Sequence, residues 1–188
     1  MRLRFLILVL LLHFAGHVSA EQPGHQMGAH VHGHGSLNVA IDGKRVRLEL
    51  IAPSADIVAF EHKAATTDEK SAISNAKATL SKIGNVVALP KRAMCSLTEA
   101  DVAVSATEAG KGQEPNSADK RKGADHAEFR AQYELACAAP RSITTLAFPY
   151  FTTFPRAKEL DVAIIGPRGQ RRFDVTRDVN RINIDGIM

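Results

Sequence analysis

Leu37-Asn38-Val39-Ala40-Ile41-Asp42-Gly43-Lys44-Arg45-Val46-Arg47-Leu48-Glu49-Leu50 is the stretch whose reading decides the fold. Leu37, Val39 and Ile41 alternate with Ser36, Asn38 and Ala40, and Val46, Leu48 and Leu50 alternate with Arg45, Arg47 and Glu49. Successive side chains of a strand point to opposite faces, so each run presents one apolar and one polar face. Asp42-Gly43 stands between them, a pair suited to a type I′ turn because both centres need positive φ. A turn on these two residues predicts Val39 opposite Val46 and Leu37 opposite Leu48, in a half-buried antiparallel hairpin.

Further along, Thr66 to Ile83 predicts a helix. Thr66 and Glu69 form a capping box. Ile73, Ala76, Leu80 and Ile83 recur on one stripe, and Gly84 supplies a stop. Val86 to Leu89 and Val102 to Val104 suggest short strands. The segment 105–125 is rich in Gly, Ser, Asn, Lys and acids and reads as an exposed loop. His126 to Cys137 alternates, with Phe129, Ala131, Tyr133, Leu135 and Cys137 on one face. Leu160, Val162 and Ile164 give another strand, turning at Gly166-Pro167-Arg168-Gly169 onto Phe173 and Val175. Together these predict an α+β domain of mainly antiparallel strands with one long helix packed on the sheet.

The amino end bears on location. Arg2 and Arg4 precede the unbroken apolar run Phe5 to Leu12, and Val18-Ser19-Ala20 offers the small residues of a cleavage site. This is the order of a cleavable secretory signal over residues 1–20. The run is too short for a spanning helix, which needs about 20 apolar residues. A flexible leader over 21–29 and a single domain over 30–188 are expected after cleavage, in a periplasmic protein of a Gram-negative envelope without stable membrane insertion.

The chain has 188 residues, with 24 Lys+Arg against 20 Asp+Glu. Loss of Arg2 and Arg4 with the signal brings the balance close to neutral. No basic stripe with interleaved aromatics is present, so nucleic acid is not an expected partner. Lys120-Arg121-Lys122 reads as a solvated run within the loop. Cys95 and Cys137 are the only cysteines. An exported chain with two Cys favours a disulfide between them, the competing reading being a pair of thiolate metal ligands.

The chemistry concentrates in Gly24-His25-Gln26-Met27-Gly28-Ala29-His30-Val31-His32-Gly33-His34-Gly35. His30, His32 and His34 are spaced by two, which on an extended strand puts them on one face across roughly 13 Å. Neighbouring imidazoles of such a face reach one ion at about 2.0–2.1 Å, the usual Zn–N distance. If the first strand extends back to them, they share the polar face of Ser36 and Asn38. Neutral imidazole suits zinc, and copper or nickel as well. His62, beside Glu61, and His126, on the face of Glu128, are candidates for a further ligand or a supporting partner. His-Glu-x-x-His, Gly-x-Ser-x-Gly, P-loop and Rossmann signatures are all missing from the sequence, so an enzyme is not expected. An envelope structural or interaction protein is the rival, with Phe148-Pro149-Tyr150-Phe151-Thr152-Thr153-Phe154-Pro155 as a partner surface or, more simply, as core.

The order His30-Val31-His32-Gly33, Leu37 to Gly43, Leu48 to Pro53, Asp56-Ile57-Val58 and Phe60-Glu61-His62 resembles the start of the ZrgA-type zinc uptake proteins. His126-Ala127-Glu128-Phe129, Tyr133, Cys137, Pro140, Phe151 to Pro155 and Gly166 to Phe173 are similar to that family's second half. The resemblance implies a periplasmic metal-binding accessory role, with a zinc ABC importer or its solute-binding protein as partner. One departure stands out. Family members often carry a His-rich acidic tract in the central loop, whereas Ser105 to Asp125 holds no His here. Binding is therefore expected at low stoichiometry on His30, His32 and His34, with His62 and His126.

Overall fold

The alternating residues of the hairpin pair as β1 (His34–Asp42) and β2 (Arg45–Pro53) in a computed structural model that describes residues 33–106 and 127–188. Leu37, Val39, Ile41, Val46, Leu48 and Leu50 are all buried, as the alternation predicts. The register differs from the expected one. Val39 faces Leu48 and Leu37 faces Leu50, with Asp42 opposite Arg45. Gly43 and Lys44 are the turn centre, and Gly43 is left-handed at φ 55°. Positive φ at the first centre is the place a type II′ turn gives to glycine. The slip moves each partner by two residues, so both faces keep their polarity.

The chain continues into a one-turn helix α1 (Ser54–Val58) and, after an irregular stretch, α2 (Thr67–Leu80). Next come β3 (Cys95–Ala106), β4 (Ala127–Cys137), β5 (Thr145–Ala147) and α3 (Tyr150–Thr153). The last elements are β6 (Glu159–Gly166), β7 (Gly169–Thr176) and β8 (Arg181–Asn183). Six strands form one sheet in the order β3-β4-β2-β1-β6-β7, and β5 pairs with β8 separately. β1 and β6 run parallel, while the other neighbours are antiparallel.

The expected α+β domain with a long helix on the sheet is thereby corrected. The described residues form a mostly β protein, a six-stranded mixed sheet with three short helices. α2 has its expected capping box: Thr66 Oγ1 accepts from Glu69 N, and Glu69 Oε2 accepts from Thr66 N. It stops at Leu80 rather than Ile83. The Asn85 amide donates to the Thr79 carbonyl, and Ser81 Oγ bonds back to Lys77 O, which satisfies carbonyls of the last turn. Only Ala76 and Leu80 of the helix are buried. Its carboxyl end meets the sheet where Tyr133 Oη donates to Leu80 O at 2.7 Å.

Irregular chain does most of the covering that a long helix was expected to do. Val86, Val87, Ile143, Phe148, Tyr150, Phe151, Phe154 and Ile184 join the inward side chains of the strands in one hydrophobic cluster. Phe148, Tyr150, Phe151 and Phe154 are thus core, which removes the aromatic segment as a partner surface. Val86 to Leu89 is not a strand; it makes a single bridge from Ala88 to Ala147. The strand expected at Val102 to Val104 runs the full twelve residues of β3. Its first residue bonds Cys137 directly across the β3–β4 pair, so the disulfide is formed and no cysteine is left for a metal.

Candidate functional site

The registers place the starts of β1, β4 and β6 and the ends of β2 and β3 at one end of the sheet. Gly33 enters this end with φ 90°, a conformation open to glycine at little cost. A Cβ there would also lie 2.9 Å from Lys158 Cδ. The Gly33 carbonyl accepts from the Lys158 and Glu159 amides, both at 2.9 Å. Its amide donates to both carboxylate oxygens of Asp56, at 2.8 and 3.1 Å. The last residue before β1 is therefore held through both of its backbone polar groups.

Asp56 owes its position to local chain chemistry. Pro53 ends β2, because proline has no N–H for a further ladder bond. The short α1 follows and closes at Ala59, which is left-handed at φ 73° and donates its N–H to Ala55 O. That single turn leaves Asp56 only 4% exposed. Burial pushes the Tyr150 phenol well above its ordinary pKa, and the neighbouring Asp56 and Tyr133 add to the shift. Ser54 Oγ and Tyr150 Oη are buried and find no hydrogen-bond partner among the described residues. This end of the sheet thus has a polar interior, in contrast to the apolar cluster beneath the strands.

His34 is the first residue of β1, on the polar face as expected, with Nδ1 3.6 Å from Glu159 Oε2. His62 lies in the stretch between the two helices. Its ring stacks on Phe60 at 5.1 Å, and Nδ1 sits 3.2 Å from the Lys63 carbonyl. Donation from Nδ1 to that carbonyl leaves Nε2 as the lone-pair nitrogen of the neutral ring. Nε2 is 3.5 Å from Glu69 Oε1, while the other oxygen of Glu69 caps α2. His34 thus has a carboxylate within 4 Å, and the His62 ring is oriented by the Lys63 carbonyl, the kind of partner that fixes a metal-ligating ring.

His30, His32 and His126 lie outside the described residues. Their described chain neighbours do not. Gly33 follows His32 in sequence, and Ala127 follows His126. The Ala127 amide donates to Glu61 O, the residue before His62, at 3.1 Å. Beside Ala127, Glu128 is buried on the polar side and pairs with Arg130, which also holds Glu49 at 2.8 Å. His34 and His62 use different carboxylates. Among the described residues, no three His, Cys, Asp or Glu side chains come together as a metal cluster.

A sequence profile of the ZrgA family of zinc uptake proteins matches residues 29–184, most of the chain and every described strand. The chain belongs to that family. No individual curated protein matches it. In this ZrgA member the profile opens one residue before His30 and takes in every His of the candidate set. Among the described residues no helix is long and apolar enough to cross a membrane. The sequence gives no sign that Asp56 and Gly33 are joined. Asp56 stands there only as part of the Asp56-Ile57-Val58 motif of the family resemblance; the fold shows it buried, with both carboxylate oxygens accepting from the Gly33 amide.

Proposed function

We propose that this ZrgA protein is a periplasmic zinc-binding accessory of zinc uptake. It is secreted by the signal of residues 1–20, with a leader over 21–29 and a working domain over 30–188. In this reading the ion is held reversibly by neutral imidazoles from His30, His32, His34, His62 and His126, and is passed toward an ABC importer or its solute-binding protein. One observation carries the reading: the described residues flanking the histidine positions are tied together at one sheet end. Gly33 is bonded to Asp56 of α1, and Ala127 is bonded to Glu61 a few residues further along the same stretch. Acidic groups stand at the same end: Asp56 accepts from the Gly33 amide, Glu128 pairs with Arg130, and Glu159 lies 3.6 Å from His34.

Imidazole binds metal only when neutral, so affinity falls as pH drops through the imidazole range near about 6.5. Copper and nickel are competitors for the same nitrogens. Calorimetric titration of the mature protein with zinc at neutral pH tests the proposal. Saturable binding that the His30→Ala, His32→Ala, His34→Ala triple variant loses is expected. Equal binding by that variant would remove the site.

A further inference from the structure

We infer that Asp56 is a positioning residue for metal capture: its buried carboxylate fixes the backbone between His32 and His34. The inference rests on the zinc reading above and adds a residue that no imidazole pattern contains.

Three observations support it. The contact is made to backbone, through both carboxylate oxygens on one amide, so it fixes where the chain turns rather than where one side chain points. The amide belongs to Gly33, one peptide bond from His32 and one from His34. The residue is left-handed, and its carbonyl accepts from the Lys158 and Glu159 amides at the start of β6, so both polar groups of its backbone are fixed. A chain free to swing at Gly33 would have to order itself on binding, and that ordering entropy would be subtracted from affinity. With Gly33 held beforehand, His34 starts β1 in a fixed place. A charge-assisted bond is also stronger than a neutral one and is protected here by burial. Groups that support metal ligands in this way commonly change affinity by about 10–100-fold when removed.

The test compares wild type, Asp56→Asn, Gly33→Ala and the triple histidine variant. Zinc affinity is read by competition with a chromophoric chelator. The visible spectrum of the Co²⁺-loaded protein reports ligand geometry, and thermal melting of each metal-free protein reports folding. Asp56→Asn should melt cooperatively, bind zinc about tenfold more weakly, and show altered cobalt band intensities, which a stability change alone would leave unmoved. Gly33→Ala attacks the same contact from the other side, and it decides the question if Asp56→Asn does not fold. Weaker binding with an altered cobalt spectrum is expected there too. Histidine-dependent binding in wild type that either folded variant matches within about twofold, with an unchanged cobalt spectrum, overturns the inference and leaves the zinc reading standing. No zinc binding by wild type, or binding indifferent to the triple variant, overturns both.

Discussion

The two ends of the six-stranded sheet are built on different chemistry. At one end Cys95 and Cys137 join β3 to β4 covalently, and Cys137 donates its amide to Lys44 O beside the β1–β2 turn. At the other, Gly33 is bonded to Asp56, His34 faces Glu159 and Glu128 pairs with Arg130. The first end is closed: its sulfurs are spent on each other. The second is held by polar contacts, carboxylates against a backbone amide, an arginine and an imidazole. The contrast teaches that one end of this sheet is fixed by a covalent bond and the other by burial, charge and backbone hydrogen bonds.

Breaking the covalent end gives the largest expected effect on stability. The bond spans 42 residues of sequence. Replacing both cysteines by alanine should lower unfolding free energy by about 4 kcal/mol on the chain-entropy argument. Urea denaturation measures that loss, and zinc affinity should stay unchanged at conditions where the variant is folded. A parallel loss of metal binding would mean that the two ends are coupled. Asp56→Asn at the polar end should cost about 2 kcal/mol, the range for a hydrogen bond to a charged group. Here the stability change is smaller but the effect on zinc is large, which is the inverse of the disulfide variant.

The smallest effect belongs to Glu69, between the two ends in character. The backbone amides of Thr66 and Ala65, with help from His62, hold its carboxyl below the ordinary carboxylate pKa. A depressed folded value means that the stabilisation is fully present above the unfolded value. It is lost as pH falls through the folded one. Circular dichroism on an acid titration should show α2 weakening below the usual carboxylate range, and Glu69→Gln should flatten that dependence.

How far the sequence could be read follows from what kind of signal each region carries. Alternation marked the inner faces of β1, β2, β4 and β6, because burying one face of a strand leaves a period of two. Alternation says nothing of direction, so the parallel pairing of β1 with β6 was not legible. The β1–β2 register was misplaced because Gly43 takes the first turn position, where Asp42-Gly43 suggested the second. β3 was read only at Val102 to Val104. Glu99, Ala100 and Asp101 have little strand preference, and the strand is held there by its ladder with β4 and by the disulfide, with an irregularity between Leu97 and Glu99. The layer over the sheet escaped because Val86, Ile143, Phe148 and Ile184 have no common period. Of the candidate site, His30, His32 and His34 stand out by spacing and His62 and His126 only by their acidic neighbours, while Asp56 became visible only once α1 turned it inward.

The most direct test of the central claim is an amide NMR titration of the mature protein with zinc. The account predicts that shifts cluster at Gly33, His34, Asp56, Glu61, His62 and Ala127, and leave Asp42, Lys44 and Cys137 untouched. Shifts confined to the disulfide end, or none at all with excess zinc, would contradict it.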